Sequence, residues 1–194
     1  IIAGQNGPGA TNLVTGVAQA KAAFSPVISI AGAISTEHEG KDAFQEVDQQ
    51  SLFEPITKKT FTVRQTELIP EILKKAFSLA LTPRCGPVHL NFPRNILANV
   101  FKFNKIQKHE KEILSSVDES DLINILEIMD KAKKPVIIAG GGVKNSLSHE
   151  TVLKISAHLN IPIVSSAGHG DVIPFDEKLY AGQMGPRGNP IASN

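Results

Sequence analysis

The chain has 194 residues, of which 41% are hydrophobic and 20% are charged, with 20 Lys and Arg against 19 Asp and Glu. This composition is typical of a globular α/β protein, and the length allows one large domain or two smaller ones. A net charge of +1 without a long basic run argues against nucleic acid or an acidic membrane surface as a partner. No apolar run reaches the roughly 20 residues that a membrane-spanning helix needs.

The single cysteine, Cys85, excludes a disulfide framework within the chain and favours a reducing, cytoplasmic location. The six histidines show no metal-ligand spacing, so we expect no metal site in this chain. The sequence opens on an apolar run without an initiator Met and closes on residues 189–194, which are typical of the start of a helix. We therefore expect a piece of a longer protein.

Strand-like and helix-like patterns alternate along the first half of the chain. The predicted elements are a strand at 1–5, a helix at 10–24, a strand at 26–31, a helical turn at 48–53, a strand at 60–63, a helix at 67–81 and a strand at 87–93. Such alternation predicts a mostly parallel sheet with helices on both faces.

After residue 95 the composition changes to Lys- and Glu-rich sequence without periodicity. We interpret 96–117 as a linker between a first domain, 1–95, and a second domain, 118–194. The second domain restarts the alternation, with a helix at 118–131, a strand at 134–139, a glycine turn at 140–142, a helix at 148–159 and a strand at 162–166. The predicted fold class is α/β, with parallel sheets flanked by helices in two partial Rossmann-like domains.

Two segments of the first domain could carry chemistry. The glycine-rich turn at 4–12 could bring free N–H groups to an anion or a polar ring, although it matches neither the dinucleotide nor the phosphate-loop motif and could equally be a tight connection. The acidic segment 42–48 could supply a proton-transfer carboxylate or a glutamine that orients a carbonyl. Its alternative interpretation is a helix start capped by Asp42 or Asp48.

In the second domain, the glycines at 140–142 and the glycine-rich stretch 168–189 would allow a nucleotide to approach the backbone closely. Glycine turns at these places need no ligand, however. His169 within the stretch is, in the same way, either a ligand-facing group or an ordinary loop residue.

The order of these motifs is more specific than any one of them. GQNGPGATNLVTGVAQA, PVISIAG, GKDAFQEVDQQSLFEPITKKTFTVR, CGPVHLNFPRNI, KKPVIIAGGGV and the stretch 168–189 follow one another along the chain. This succession resembles the thiamine-diphosphate enzymes of the acetolactate synthase (acetohydroxyacid synthase) large-subunit type. The resemblance implies that 1–95 is the second half of a pyrimidine-binding domain and that 118–194 is the first half of a central domain.

The resemblance also implies roles for matching residues. Those expected beside thiamine diphosphate, in the neighbouring subunit's active site, are Gly7, Pro8, Gly9, Asn12 and Gln45. Phe44 and Gln45 are expected to line the substrate pocket, with Gln45 as the catalytic residue of this chain near the reacting carbon. Those expected at FAD, in members that carry it, are Arg64, Gly141, Gly142, Gly168, Gln183, Met184, Gly185, Gly188 and Asn189.

The implied activity is decarboxylation of pyruvate and transfer of the two-carbon unit to a second 2-oxo acid, as in branched-chain amino-acid biosynthesis. The essential glutamate and the domain that holds Mg²⁺ are expected outside this chain, which alone should be inactive. A homodimer or homotetramer and a regulatory subunit are the expected partners. Alternatives are a related enzyme, such as sulfoacetaldehyde acetyltransferase or a 2-oxo acid decarboxylase or oxidase, and a noncatalytic nucleotide-binding module.

Overall fold

A computed structural model of the chain describes residues 1–102 and 117–193. These residues belong to two compact units, one on each side of the gap, and each unit is built on its own parallel sheet. The predicted α/β class with helix-flanked parallel sheets is confirmed. Most of the predicted linker lies outside the described residues. Within the part of the chain that the structure describes, no helix is both long and apolar enough to cross a bilayer.

The first unit places four parallel strands in the order β1-β2-β4-β3. Every residue of β4 is buried, because this strand lies between β2 and β3 and is covered on both faces. The elements of this unit are β1 (Ile2–Gly4), α1 (Pro8–Asn12), α2 (Val14–Ala22), β2 (Ile28–Ala33), α3 (Gln49–Phe53), β3 (Lys59–Thr62), α4 (Ile69–Leu81), β4 (Val88–Pro93) and α5 (Arg94–Ala98).

Alternation along the strands divides the core of this unit into two clusters. On one face, Ile28 and Leu90 pack with Ala76 of α4. On the other, Ala31 packs with Val17 of α2 and Phe53 of α3. Because successive side chains of a strand point to opposite faces, the same strands supply both clusters.

The structure differs from the predicted boundaries at two places in the first unit. The predicted helix 10–24 is two helices, α1 and α2, since the Leu13 N–H bonds to the Ala10 carbonyl three residues back and tightens the turn between them. The predicted linker began at 96, but Ile96 lies in α5 and is buried in the core cluster of the sheet. Its burial keeps this segment in the first unit.

The second unit comprises α6 (Glu119–Lys131), β5 (Ile137–Ala139), α7 (Gly141–Ser146), α8 (His149–Leu159), β6 (Ile163–Ser165), β7 (Tyr180–Gln183) and α9 (Pro190–Ser193). Its three strands are parallel in the order β5-β6-β7. Strand β7 was not predicted and falls inside the glycine-rich stretch. The predicted turn at 140–142 is also shorter, because Gly141 already begins α7.

Candidate active site

A cavity of about 820 Å³, called the main cavity below, lies at the carboxyl ends of β1, β2 and β4 in the first unit. Parallel α/β sheets bind their ligands at this edge, where the loops that follow neighbouring strands converge. The cavity walls are mostly apolar, with a few polar side chains among the lining residues. The lining residues include Gln5, Asn6, Ile34, Ser35, His38, Phe44, Gln45, Phe92, Arg94, Asn95 and Leu97.

Gly7 and Gln45, which are far apart in the sequence, are in direct contact beside this cavity. A Cβ at Gly7 would lie 2.8 Å from the Gln45 Cβ and 3.0 Å from its carbonyl oxygen. Gly7 also has a φ of +64°, a conformation that side-chain-bearing residues rarely adopt. Gln45 itself has a φ of +63°, which is uncommon for a non-glycine residue and is often found at functional sites.

Glu46 holds the loop that carries Phe44 and Gln45. Its carboxylate accepts hydrogen bonds from the Gly40 N–H at 2.6 Å and from the Ala43 N–H at 2.9 Å. These backbone donors hold the pKa of Glu46 below its usual value, so this carboxylate stays ionised as an anchor. Phe44 lines the cavity and is 87% exposed.

The alternative interpretation of segment 42–48 as a capped helix start is confirmed for Asp48. Its carboxylate accepts the Ser51 N–H at 3.1 Å at the start of α3. The hydrogen bonds from the Ser51 hydroxyl and N–H lower the pKa of Asp48. Asp48 therefore acts as the helix cap, whereas Ala43, Phe44 and Gln45 are the residues of the segment that line the cavity.

Gln49 ties the loop after β1 to the end of β2. Its side chain is buried, and Nε2 donates to the Asn6 Oδ1 at 3.1 Å and to the Gly32 carbonyl at 2.9 Å. Its Oε1 is buried without a hydrogen-bond partner among the described residues. Since Asn6 precedes Gly7, the Gln49 amide fixes the segment against which Gln45 packs.

A buried histidine lies within the sheet of the same unit. The His89 ring stacks on Phe53 with centroids 3.6 Å apart, and its Nδ1 and Nε2 contact the Ser29 Oγ at 3.0 Å and the Asn91 Oδ1 at 2.7 Å. Burial lowers the pKa of His89 to about 4. The hydrogen bond with Asn91 acts in the opposite direction, but its effect on the pKa is smaller. His89 is therefore neutral at pH 7 and holds strands β2 and β4 together.

The remaining residues predicted at thiamine diphosphate lie on α1. Pro8 is its first residue, and a Cβ at Gly9 would lie 2.9 Å from the Gln5 Cβ, so the helix approaches the loop after β1 closely. Asn12 ends α1 and is exposed. The structure thus brings Gly7, Phe44 and Gln45 together, whereas Asn12 is not among the residues that line the cavity.

The second unit also gathers its predicted residues at the carboxyl ends of its strands, but its own side chains fill much of the space. A Cβ at Gly141 would lie 2.7 Å from the His169 Nε2, and the His169 Nδ1 contacts the Ser166 Oγ at 3.1 Å. A Cβ at Gly182 would meet the Asn189 side chain at 2.8 Å. The spaces beside these glycines therefore hold protein groups.

The other residues predicted at FAD differ in their surroundings. Gly142 and Gly168 face open space, whereas a Cβ at Gly188 would collide with the Gln183 carbonyl oxygen in a tight turn. Gly185 has a φ of +119°. Met184 donates its N–H to the Ser165 carbonyl at 2.9 Å, which continues the strand pairing past β7.

Arg64 belongs to the first unit, where its Nη1 pairs with the Glu39 carboxylate at 2.7 Å. The remaining predicted FAD residues all belong to the second unit. The His169 ring lies beside Gly141, so a dinucleotide at that glycine requires the ring to move.

Sequence reasoning missed Gln49 and Arg94 as site residues, and it included Asn6 only as part of the glycine-rich turn at 4–12. Asn6 and Arg94 each follow a predicted strand, so their position at the carboxyl edge of the sheet was a usable signal. No comparable signal marks Gln49, because its neighbour Gln50 is chemically identical and only the fold shows which of them is buried.

Comparisons with known proteins identify the family that the chain resembles. Residues 1–52 match the family model described as thiamine pyrophosphate enzyme, N-terminal TPP binding domain, and residues 122–194 match the one described as thiamine pyrophosphate enzyme, central domain. A "probable acetolactate synthase large subunit" of Methanocaldococcus jannaschii is 38% identical over 194 residues, which cover 97% of this chain and 33% of that protein.

Two bacterial relatives show the same pattern. The acetolactate synthase large subunit of Buchnera aphidicola is 40% identical over 166 residues, covering 83% of this chain and 29% of that protein. The acetolactate synthase isozyme 3 large subunit of Escherichia coli is 34% identical over 188 residues, covering 94% of this chain and 33% of that protein. The chain spans about a third of the length of these relatives.

Proposed function

We propose that this chain, which belongs to the thiamine pyrophosphate enzyme family, forms part of the large subunit of an acetolactate synthase. The matched N-terminal and central domains and the relatives named above support this assignment. The structural observation that carries it is the contact of Gly7 with Gln45 at the edge of the main cavity. The proposed reaction joins two molecules of pyruvate into 2-acetolactate with release of carbon dioxide.

Thiamine diphosphate, when bound, supplies the carbon nucleophile that adds to a 2-oxo acid and the ring that accepts the electron pair left by carbon dioxide. In our proposal, the Gln45 amide orients the substrate carbonyl in the cavity, and Phe44 supplies an apolar wall that keeps water away from it. Gly7, Pro8, Gly9 and Asn12 pack beside the aminopyrimidine ring. The absence of a side chain at Gly7 supports this role, because it allows close packing beside Gln45.

We further propose that Mg²⁺ and the essential glutamate are held outside residues 1–194. The proposed assembly is a cytoplasmic homodimer or homotetramer with a regulatory subunit, and its pathway is branched-chain amino-acid biosynthesis. The proposed reaction involves no net oxidation or reduction, so it needs no electron transfer through FAD. A flavin dinucleotide beside Gly141 would require the His169 ring to move.

The test is product analysis of the full-length protein with pyruvate, thiamine diphosphate and Mg²⁺. We expect carbon dioxide and 2-acetolactate in equal amounts. Carbon dioxide without acetolactate would instead identify a decarboxylase or oxidase of the same family. Nucleotide binding without turnover of pyruvate would identify a noncatalytic module.

The role of Gln45 is tested with two variants. Gln45→Ala should lower turnover more than it lowers cofactor affinity, whereas an equal loss of both would make Gln45 a structural residue. Gln45→Asn is the companion variant, because asparagine tolerates the positive φ at this position and keeps an amide. Its cofactor affinity should match that of the wild type.

A further inference from the structure

We infer that Arg94 binds the carboxylate of the acceptor 2-oxo acid, an inference that rests on the proposed function of the cavity. Arg94 is the first residue of α5 and follows the last residue of β4 directly. It lines the main cavity together with Phe44 and Gln45. An anion that enters the cavity therefore meets a guanidinium group in the same space as the proposed carbonyl-orienting amide.

The charge of Arg94 is not neutralised within the described part of the chain. The ion pairs found there involve other residues. Arg64, another exposed arginine of the first unit, is paired with Glu39. No Asp or Glu is among the residues that line the main cavity. A cavity that presents an unpaired cation and no carboxylate favours an anionic ligand.

The backbone that carries Arg94 is held firmly. The next residue, Asn95, accepts the Thr36 N–H at 3.1 Å and donates to the Thr36 hydroxyl at 2.8 Å, which ties α5 to the loop after β2. Ile96 is buried in the core beneath. Arg94 itself is exposed, so its side chain can meet a ligand without breaking an internal contact. A fixed backbone reduces the entropy lost when the side chain engages a ligand.

The fate of the carboxylate distinguishes the acceptor 2-oxo acid from the donor 2-oxo acid. The donor pyruvate loses its carboxylate as carbon dioxide, and a cation bound to that carboxylate would stabilise the ground state against the loss. The acceptor keeps its carboxylate in the product. A planar guanidinium can bind this carboxylate with two parallel hydrogen bonds.

The experiment offers the full-length enzyme two acceptors at once, pyruvate and ¹³C-labelled acetaldehyde. Transfer to pyruvate gives acetolactate, whereas transfer to the labelled aldehyde gives labelled acetoin, which the label distinguishes from acetoin formed by decay of acetolactate. Arg94→Gln should lower the ratio of acetolactate to labelled acetoin by roughly tenfold to a hundredfold, since only one acceptor carries a carboxylate. Arg94→Lys should restore most of the ratio.

Lys59→Gln is the matched control, because it also removes one exposed positive charge but lies at the start of β3, outside the main cavity. Its product ratio should equal that of the wild type. An unchanged ratio in Arg94→Gln, with acetolactate still formed by the wild type, would overturn the inference and leave the proposed function intact. A wild-type enzyme that forms no acetolactate would overturn both. Arg94→Met, uncharged and of similar length, replaces Arg94→Gln if that variant does not fold.

Discussion

The carboxyl edges of the two parallel sheets make a useful comparison, because both are rich in glycine and only the surroundings of the glycines differ. In the first unit, Gly7 allows two loops to meet beside a cavity of about 820 Å³. In the second, the space beside Gly141 holds the imidazole of His169. A glycine-rich turn therefore marks a close approach, and the residues of the next loop decide whether a ligand or the protein itself fills the space.

The two units also differ in the polar groups buried near these edges. Among the described residues, the first unit buries His89, Asn91 and Gln49, and each has a hydrogen bond to another element or strand residue. The second buries Ser156 and Ser165. Buried amides and imidazoles are unfavourable unless they are satisfied, and once satisfied they fix one arrangement of the chain. In the first unit, the Gln49 side-chain N–H groups accordingly hold the loop after β1 against β2.

The largest effect is expected from Gly7→Ala. The new Cβ would meet the Gln45 Cβ and backbone, and the sparsely populated backbone conformation of Gly7 (φ +64°, ψ −114°) adds about 1–3 kcal/mol of strain. Because a displacement of about 1 Å in a reacting site can reduce the rate roughly a hundredfold, we expect a loss of about that size in kcat/KM of the full-length enzyme.

Two alanine substitutions serve as controls for Gly7→Ala. Gly16 in α2 faces open space, so Gly16→Ala should preserve activity and stabilise the helix by about 1 kcal/mol. Gly141→Ala should be tolerated better than Gly7→Ala, since the group it meets is the end of the His169 side chain. Equal activity losses in Gly7→Ala and Gly141→Ala would remove the distinction between the two edges.

The next effect is a dependence of stability on pH that originates in the first unit. His89 has a pKa of about 4 in the folded protein against an ordinary value of 6.5. Between these values the unfolded chain binds a proton that folded His89 does not, so its contribution is present above pH 6.5 and is lost as the pH falls toward 4. At about 1.4 kcal/mol per pKa unit, the loss amounts to at most about 3.5 kcal/mol.

Urea denaturation at pH 7.5 and 4.5 tests this dependence. The free energy of unfolding should decrease more between the two conditions in the wild type than in His89→Gln, which has no titrating ring. The comparison is between the two decreases, so a general loss of stability in the variant does not disturb it. Identical decreases would show that burial of His89 does not control the acid sensitivity.

A smaller effect is expected from Gln49→Leu. The substitution introduces an apolar side chain of similar size and leaves the Asn6 Oδ1 and the Gly32 carbonyl without their donor. We expect a loss of about 1–3 kcal/mol in the free energy of unfolding. Gln19→Leu, on the exposed side of α2, should change it by less than about 0.5 kcal/mol. A neutral Gln49→Leu would mean that the bridge between the two loops adds nothing to stability.

The first unit was also easier to predict from the sequence than the second. The β-branched and apolar runs of β2 and β4 indicate buried strands directly. Strand β7 has the sequence Tyr-Ala-Gly-Gln, which lacks such residues, and its pairing with β6 is a tertiary effect. The same limit applied to α5, because only packing against β4 reveals that Ile96 belongs to the core.

For the site, the sequence identified residues by type and order but not by contact. Gly7 and Gln45 stood in the most specific motifs, and the fold places them against each other. Gln49 and Arg94 were missed, because their importance depends on a buried hydrogen bond and on an unpaired charge in a cavity. Neither property is visible in a one-dimensional pattern.

The smallest effect on activity is expected from His169→Ala, and it tests the second unit directly. Since the wild-type imidazole fills the space beside Gly141, the full-length protein should be purified without the visible absorbance of bound flavin. His169→Ala opens that space and should raise the affinity for added FAD, measured by fluorescence quenching, while acetolactate formation stays unchanged. His158→Ala, at an exposed position of α8, should leave FAD affinity unaltered. Stoichiometric flavin in the wild type would instead show that the His169 ring leaves this position, and that the second edge, like the first, makes room for a ligand.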